Sequence, residues 1–139
     1  PPLGFWWQDG EGKMSENVAM KPEELKKFLR DYAVQCEAIY TTGQPETMIA
    51  GIYMQFRNQG LDERDRHTLI AYLFDFDSPD VAGLSKLNVC QLRALRKWIG
   101  AIPAITSKGQ RVYLPRNEFE DELRWALVAA KKGNKNENV

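Results

Sequence analysis

The chain has 139 residues, 43% of them hydrophobic and 27% charged, with a formal net charge of zero. That is the size of one domain with material for a core, and it excludes the low-hydrophobicity, high-charge class of disordered chains. No run approaches the ~18 apolar residues of a membrane span, and no basic segment followed by an apolar one marks a secretory leader, so a cytoplasmic location is expected, or a nucleoid or nuclear one if the chain binds DNA.

The charge is unevenly spread. Residues 1–81 hold 8 Lys/Arg and 14 Asp/Glu, a net −6, whereas residues 82–139 hold 11 and 5, a net +6. The C-terminal half is therefore the one suited to a polyanion, unless the two halves neutralise each other in the fold. Cys36 and Cys90 each fall within a helical apolar pattern. They read as buried free thiols, with a disulfide as the lesser alternative.

In chain order, residues 1–20 form an arm that opens "PPLGFWWQDGEGK", too rich in Pro and Gly for regular structure yet carrying Phe5, Trp6 and Trp7. Met14-Ser15-Glu16-Asn17 has the look of a chain start, which makes the arm either an added leader or a set of aromatic anchors. Anchors of this kind dock on their own domain or on a partner.

A first helix is expected from Pro22, with Glu23 and Glu24 at its positive end and Leu25, Phe28, Leu29, Tyr32, Cys36 and Ile39 at helical spacing, stopping at Gly43. A second runs over residues 45–58, with Met48, Ile49, Ile52 and Phe56 on one stripe. A third starts at the N-cap Asp62 and turns Leu69, Ile70, Leu73 and Phe74 inward. The stretch "FDFDSPD" interrupts the rhythm, and Asp80 is expected to cap a short helix to about residue 86.

Asn88 caps the next helix, which carries Val89, Leu92, Leu95 and Ile99 inward and ends at Gly100. Its Arg93 and Lys97 are four apart, with Arg96 beside them on the outward side. Residues 102–106 and 111–114 are short and rich in β-formers, joined around Lys108-Gly109 as a hairpin. The last helix is capped by Asn117 with Glu120 three residues on. It carries Phe119, Leu123, Leu127 and Ala130 as its stripe, and a polar tail follows from residue 133. Trp125 lies off that stripe, either exposed or packed against the arm.

Little of this resembles a catalytic or metal centre. His67 is the sole histidine, and Asp75, Asp77 and Asp80 lack the glycine and terminal glutamate of a calcium loop. No phosphate-cradling loop or nucleophile elbow is present, so no cofactor, metal or small-molecule substrate is expected, and an enzyme is the least favoured class.

The remaining constellation is "LRALRKWIGAIPAITSKGQRVYLPRNEFEDEL". Its Gly100, Ile102-Pro103-Ala104, Gly109, Arg111, Pro115-Arg116 and Phe119-Glu120 resemble the recognition helix, wing and following helix of excisionase-like winged-helix DNA-binding proteins, over about residues 80–127. By that resemblance, Gln91, Arg93, Arg96 and Lys97 face the groove, and Lys108 and Arg111 are wing contacts. Arg would pair with guanine, Gln with adenine, and the wing cations with phosphates. Another reading takes the same stretch as two helices with an extended loop, as in SAP-like modules, which also bind DNA.

The expectation is thus a mainly α-helical bundle with a C-terminal winged helix-turn-helix and one short β-hairpin. It is a single domain divided into the arm at 1–20, a helical part at 21–78, a winged-helix part at 79–132 and a tail at 133–139. Its function is DNA binding in transcription regulation or in replication and recombination, assisted by self-association or a protein partner. The alternative is an interaction or assembly subunit without nucleic acid, docking through Phe5, Trp6, Trp7 and Trp98.

Overall fold

A computed structural model of the chain describes residues 18–37 and 45–137. Five α-helices and one hairpin follow in the order α1 (Pro22–Glu37), α2 (Pro45–Asn58), α3 (Glu63–Leu73), α4 (Val89–Ile99), β1 (Ile102–Ile105), β2 (Arg111–Leu114) and α5 (Phe119–Glu137). The fold is mainly helical with a small antiparallel two-stranded sheet. The arm at 1–17, with Phe5, Trp6 and Trp7, and the expected helix stop at Gly43 lie outside the described residues.

Local signals account for most helix starts. Glu24 accepts a hydrogen bond from the Lys21 backbone N–H at 2.8 Å across Pro22, satisfying a donor ahead of α1. Leu25, Leu29, Ala33 and Cys36 then form its buried stripe. Asp62 caps α3 as expected, its carboxylate accepting from the Asp65 N–H at 2.8 Å. α2 buries Met48, Ile52 and Phe56 together with Gln55, and Gly60 takes the positive φ of +86° that turns the chain toward α3.

Two boundaries differ from expectation. Residues 80–86 form two separate 3₁₀ turns, Pro79–Val81 and Leu84–Lys86, rather than one short helix. Pro79 opens the first turn, and Ala82 and Gly83 are extended. Neither piece therefore has the residues to close an α-helical ring. Asp80 consequently sits inside a turn rather than at a cap, 3.6 Å from the Arg64 guanidinium.

α5 likewise begins at Phe119, beyond Asn117, after a turn in which the Phe119 N–H donates to the Arg116 carbonyl at 3.1 Å. It then continues to Glu137, so most of the expected tail is helical. A single Gly133 costs a helix only ~1 kcal/mol, and no proline follows it.

All five helices contribute to one buried cluster. α4 packs against both α1 and α2, while α5 packs against α3 and α1. Trp98 of α4 is completely buried at the centre, with its ring edge-on to Phe119 at 5.0 Å and 6.5 Å from Phe56. A second small cluster holds Ala33, Cys36 and Cys90, with Tyr32 against it.

Candidate functional site

The basic C-terminal half is organised by α4, which opens on a reciprocal capping box. Asn88 accepts from the Gln91 backbone N–H at 2.8 Å, while the Gln91 side-chain oxygen accepts from the Asn88 N–H at 2.9 Å. This reciprocal box satisfies two otherwise orphaned donors. It also commits Gln91: reading adenine needs both its amide oxygen and nitrogen, and the oxygen is already occupied.

Because α1 and α2 cover α4 on two sides, only part of its surface is left to solvent. Cys90, Leu92, Ala94, Leu95, Trp98 and Ile99 are buried. Gln91 and Arg93 are half-buried, and Arg96 and Lys97 are exposed in the last turn.

Trp98, expected at a partner surface, is instead a core residue. Its indole N–H donates to Glu122 Oε1 at 2.8 Å. Glu122 is 1% exposed and gathers further donors, the Met20 backbone N–H at 2.7 Å on Oε2 and the Arg116 guanidinium on Oε1. Arg116 in turn donates Nε to the Trp98 carbonyl at 2.7 Å, its backbone N–H to the Ile99 carbonyl at 3.0 Å, and Nη1 to Glu118 at 2.8 Å. A cation thereby closes the negative end of α4, and the chain entering α1 is tied to α5. Trp125 is half-buried beneath Lys21, whose Nζ lies 4.1 Å from the ring centroid.

Gly100, in the left-handed conformation at φ +58°, releases the chain from α4 into the hairpin. In β1–β2, Ile102 pairs with Leu114, Pro103 with Tyr113, Ala104 with Val112 and Ile105 with Arg111. Directly opposed residues share a face, so Ile102, Leu114, Ala104 and Val112 lie on one side. Pro103, Tyr113, Ile105 and Arg111 lie on the other, and all four of these are exposed.

The base is anchored by buried Gln55, which donates to the Tyr113 carbonyl at 3.1 Å. The tip is organised by Thr106. Its carbonyl accepts from the Gly109 N–H at 2.9 Å, and its hydroxyl accepts from the N–H groups of Lys108 and Gln110 at 3.3 and 3.1 Å. Gly109 supplies the required positive φ of +80°.

Of the six candidate nucleic-acid contacts, then, Arg96, Lys97, Lys108 and Arg111 are exposed, Arg93 is half-buried and Gln91 is engaged in the cap. Lys86 is an exposed cation that the sequence reading left out. The signal for it was present: residues 81–117 contain seven Lys/Arg and no Asp or Glu. Among the described residues, Lys86, Arg96, Lys97, Lys108 and Arg111 take part in no ion pair. Ion pairs that do form include Lys26 with Asp75, Lys27 with Asp31, Arg64 with Asp80, Arg124 with Glu120 and Asp121, Lys131 with Asp65, and Arg116 with its two glutamates.

Elsewhere, a shallow cleft of about 290 Å³ lies where α1, α3 and α5 meet the turn after α3. Three of its polar side chains are engaged in bonds within the protein. Lys26 bonds Asp75 at 2.9 Å and lies 4.6 Å over the Tyr72 ring, while the Tyr72 hydroxyl donates to Glu23 at 3.2 Å. Burial, then the Glu23 carboxylate, push the Tyr72 hydroxyl up to about 12. At the other end of α1, burial and the neighbouring Cys36 thiol push Cys90 up to about 11, and Arg93 opposes the shift only weakly.

No helix among the described residues is long and apolar enough to cross a membrane. Comparison with protein-family models, curated proteins and solved structures finds no match for the chain.

Proposed function

We propose that the protein binds DNA through the last turn of α4 and the β1–β2 hairpin, in the manner of a winged helix. The supporting observation is the 37-residue acid-free segment 81–117, five of whose seven cations are exposed and take part in no ion pair among the described residues. A charged surface that serves only solubility carries both signs interspersed. Here one sign is kept over a continuous segment, on two rigid supports, a capped helix and a turn-locked hairpin.

Two strand residues place about 6–7 Å between same-face side chains, a spacing comparable to that of successive phosphates along one strand. Arg111 shares its face with Tyr113, which is 53% exposed, and with Ile105, which is 74% exposed. Cations would hold phosphates while apolar and aromatic groups touch base edges or sugars. Five contacts make a modest footprint, so non-specific affinity is expected in the range of roughly 10⁻⁴–10⁻⁶ M at physiological salt, with dimerisation or a partner raising it.

The direct test is charge reversal. Lys97→Glu together with Lys108→Glu removes cations from both supports, and both sites are exposed, so the fold should survive. Loss of duplex binding in a fluorescence-anisotropy titration, with an unchanged circular dichroism spectrum, is the expected result. Undiminished binding would overturn the assignment.

A second reading is an assembly subunit without nucleic acid. It is favoured by the same hairpin, whose Ile102, Ile105, Tyr113 and Leu114 are all exposed. In that case Ile105→Ser and Tyr113→Ser abolish self-association or partner binding, and the charge reversals leave it intact.

A further inference from the structure

We infer that Cys36 and Cys90 form a reversible intramolecular disulfide, made by exchange with low-molecular-weight disulfides of the glutathione class. They are the two cysteines of the chain, far apart in sequence, yet α1 and α4 bring them into one small buried cluster with Ala33, apart from the main core. Both side chains are buried in that cluster, and the Cys36 thiol is close enough to help push the Cys90 thiol upward. Forming an S–S bond of about 2.05 Å requires only that the two neighbouring thiols close up within that cluster.

Position favours that shift. Cys36 is the penultimate residue of α1 and Cys90 the second residue of α4. Terminal turns open at less free energy than helix centres, which gives a small reagent intermittent access to thiols that are otherwise buried. The N-terminal end of α4 and the Arg93 guanidinium favour a thiolate at Cys90, whereas burial and the Cys36 thiol disfavour it. Opening the cluster removes the opposing contributions first, so exchange proceeds from the opened state and is slow.

The chemistry balances without another reactant. One protein thiol, as its thiolate, attacks the disulfide RSSR, giving a mixed disulfide and one RSH after protonation. The second protein thiol then attacks the protein sulfur of that adduct, forming the Cys36–Cys90 bond and releasing the second RSH. Two protein thiols are oxidised and one RSSR is reduced. The product staples α1 to α4, the helix that carries Arg96 and Lys97. The inference does not depend on DNA binding.

The test equilibrates the full chain in glutathione buffers from strongly reducing to about −180 mV, followed by alkylation and intact-mass and peptide analysis. The expected result is a monomer that gains no alkyl groups at the oxidising end, about 2 Da lighter than the reduced chain, with a linked peptide containing both cysteines. Dithiothreitol restores two alkylatable thiols, and Cys36→Ser and Cys90→Ser each prevent the link. Both thiols remaining alkylatable at −180 mV, while the urea-unfolded chain oxidises in the same buffer, would overturn the inference. So would products limited to glutathione adducts or intermolecular dimers.

Discussion

Glu122 shows how one residue decides several local structures. It is a buried carboxylate receiving the Trp98 indole, the Met20 backbone and the Arg116 guanidinium, and each of those donors belongs to a different stretch of chain. Removing it leaves the buried Trp98 indole N–H and the Met20 N–H without their acceptor, and strips Arg116 of one of its two carboxylates. Glu122→Ala should therefore cost about 3–5 kcal/mol, read as a lowered urea midpoint. A loss below ~1 kcal/mol would show that water replaces the carboxylate at little cost.

Two probes of the basic helix should also separate at this scale. Lys97→Ala is an exposed change expected within ~0.5 kcal/mol of the parent. Arg93→Ala should cost more, because half of that side chain packs against the body, so Lys97 is the cleaner test of binding.

The burial that raises Cys90 and Tyr72 has a stability consequence as well. Both groups are neutral at pH 7, and their folded values, about 11 and about 12, lie above the ordinary 9.0 and 10.0. An unfolded chain releases these protons first. The stability they contribute is complete below pH 9 and is lost progressively as pH rises through about 11 for Cys90 and 12 for Tyr72. Melting midpoints should fall from pH 9 upward, and in Cys90→Ala the part of the fall that begins near pH 9 should disappear.

Among the elements, those announced by local chemistry were legible in the sequence. Pro22 with Glu24, Asp62, and Asn88 with Gln91 each marked a helix start through a short-range hydrogen bond that depends on spacing alone. Gly100 and Gly109 marked two of the points where the chain takes a positive φ.

What failed was set by longer-range contacts. Asn117 and Glu120 imitate a capping pair, but Arg116 is held by α4 and Glu122, and that fixes the turn so that α5 starts later. Residues 80–86 look helical by composition, yet Pro79 and Gly83 leave pieces of three residues each. Trp98 was misassigned to the surface although it follows Leu95 by three and Ala94 by four. That spacing places it on the buried stripe beside the cations.

Gly100→Ala tests the helix-to-hairpin junction. A Cβ at this position meets Arg116 Cδ at 3.2 Å in a left-handed backbone, so a loss of about 1–2 kcal/mol is expected in chemical denaturation. Thr106→Val acts at the tip instead, removing the hydroxyl that orders Lys108 and Gln110. It should weaken DNA binding while barely moving the melting midpoint.

For the whole molecule, zero net charge conceals a division of labour. Several carboxylates outside residues 81–117 pair with cations that also lie outside it, as Asp75 does with Lys26 and Asp65 with Lys131. The acid-free segment keeps a single sign of charge along α4 and the hairpin. The sign asymmetry was visible in the half-chain totals, but not which cations remain exposed, because that depends on how deeply α1 and α2 bury α4. The same packing brings Cys36 to Cys90, a proximity that no local pattern encodes.

The measurement that bears most directly on the central claim is the salt dependence of duplex binding. Log K should fall linearly with log salt concentration at a slope of about −4 to −5 if Lys86, Arg96, Lys97, Lys108 and Arg111 each displace a counterion, and each single alanine replacement should reduce that slope by about 1. A slope near zero, or one that the five replacements leave unchanged, would contradict the account.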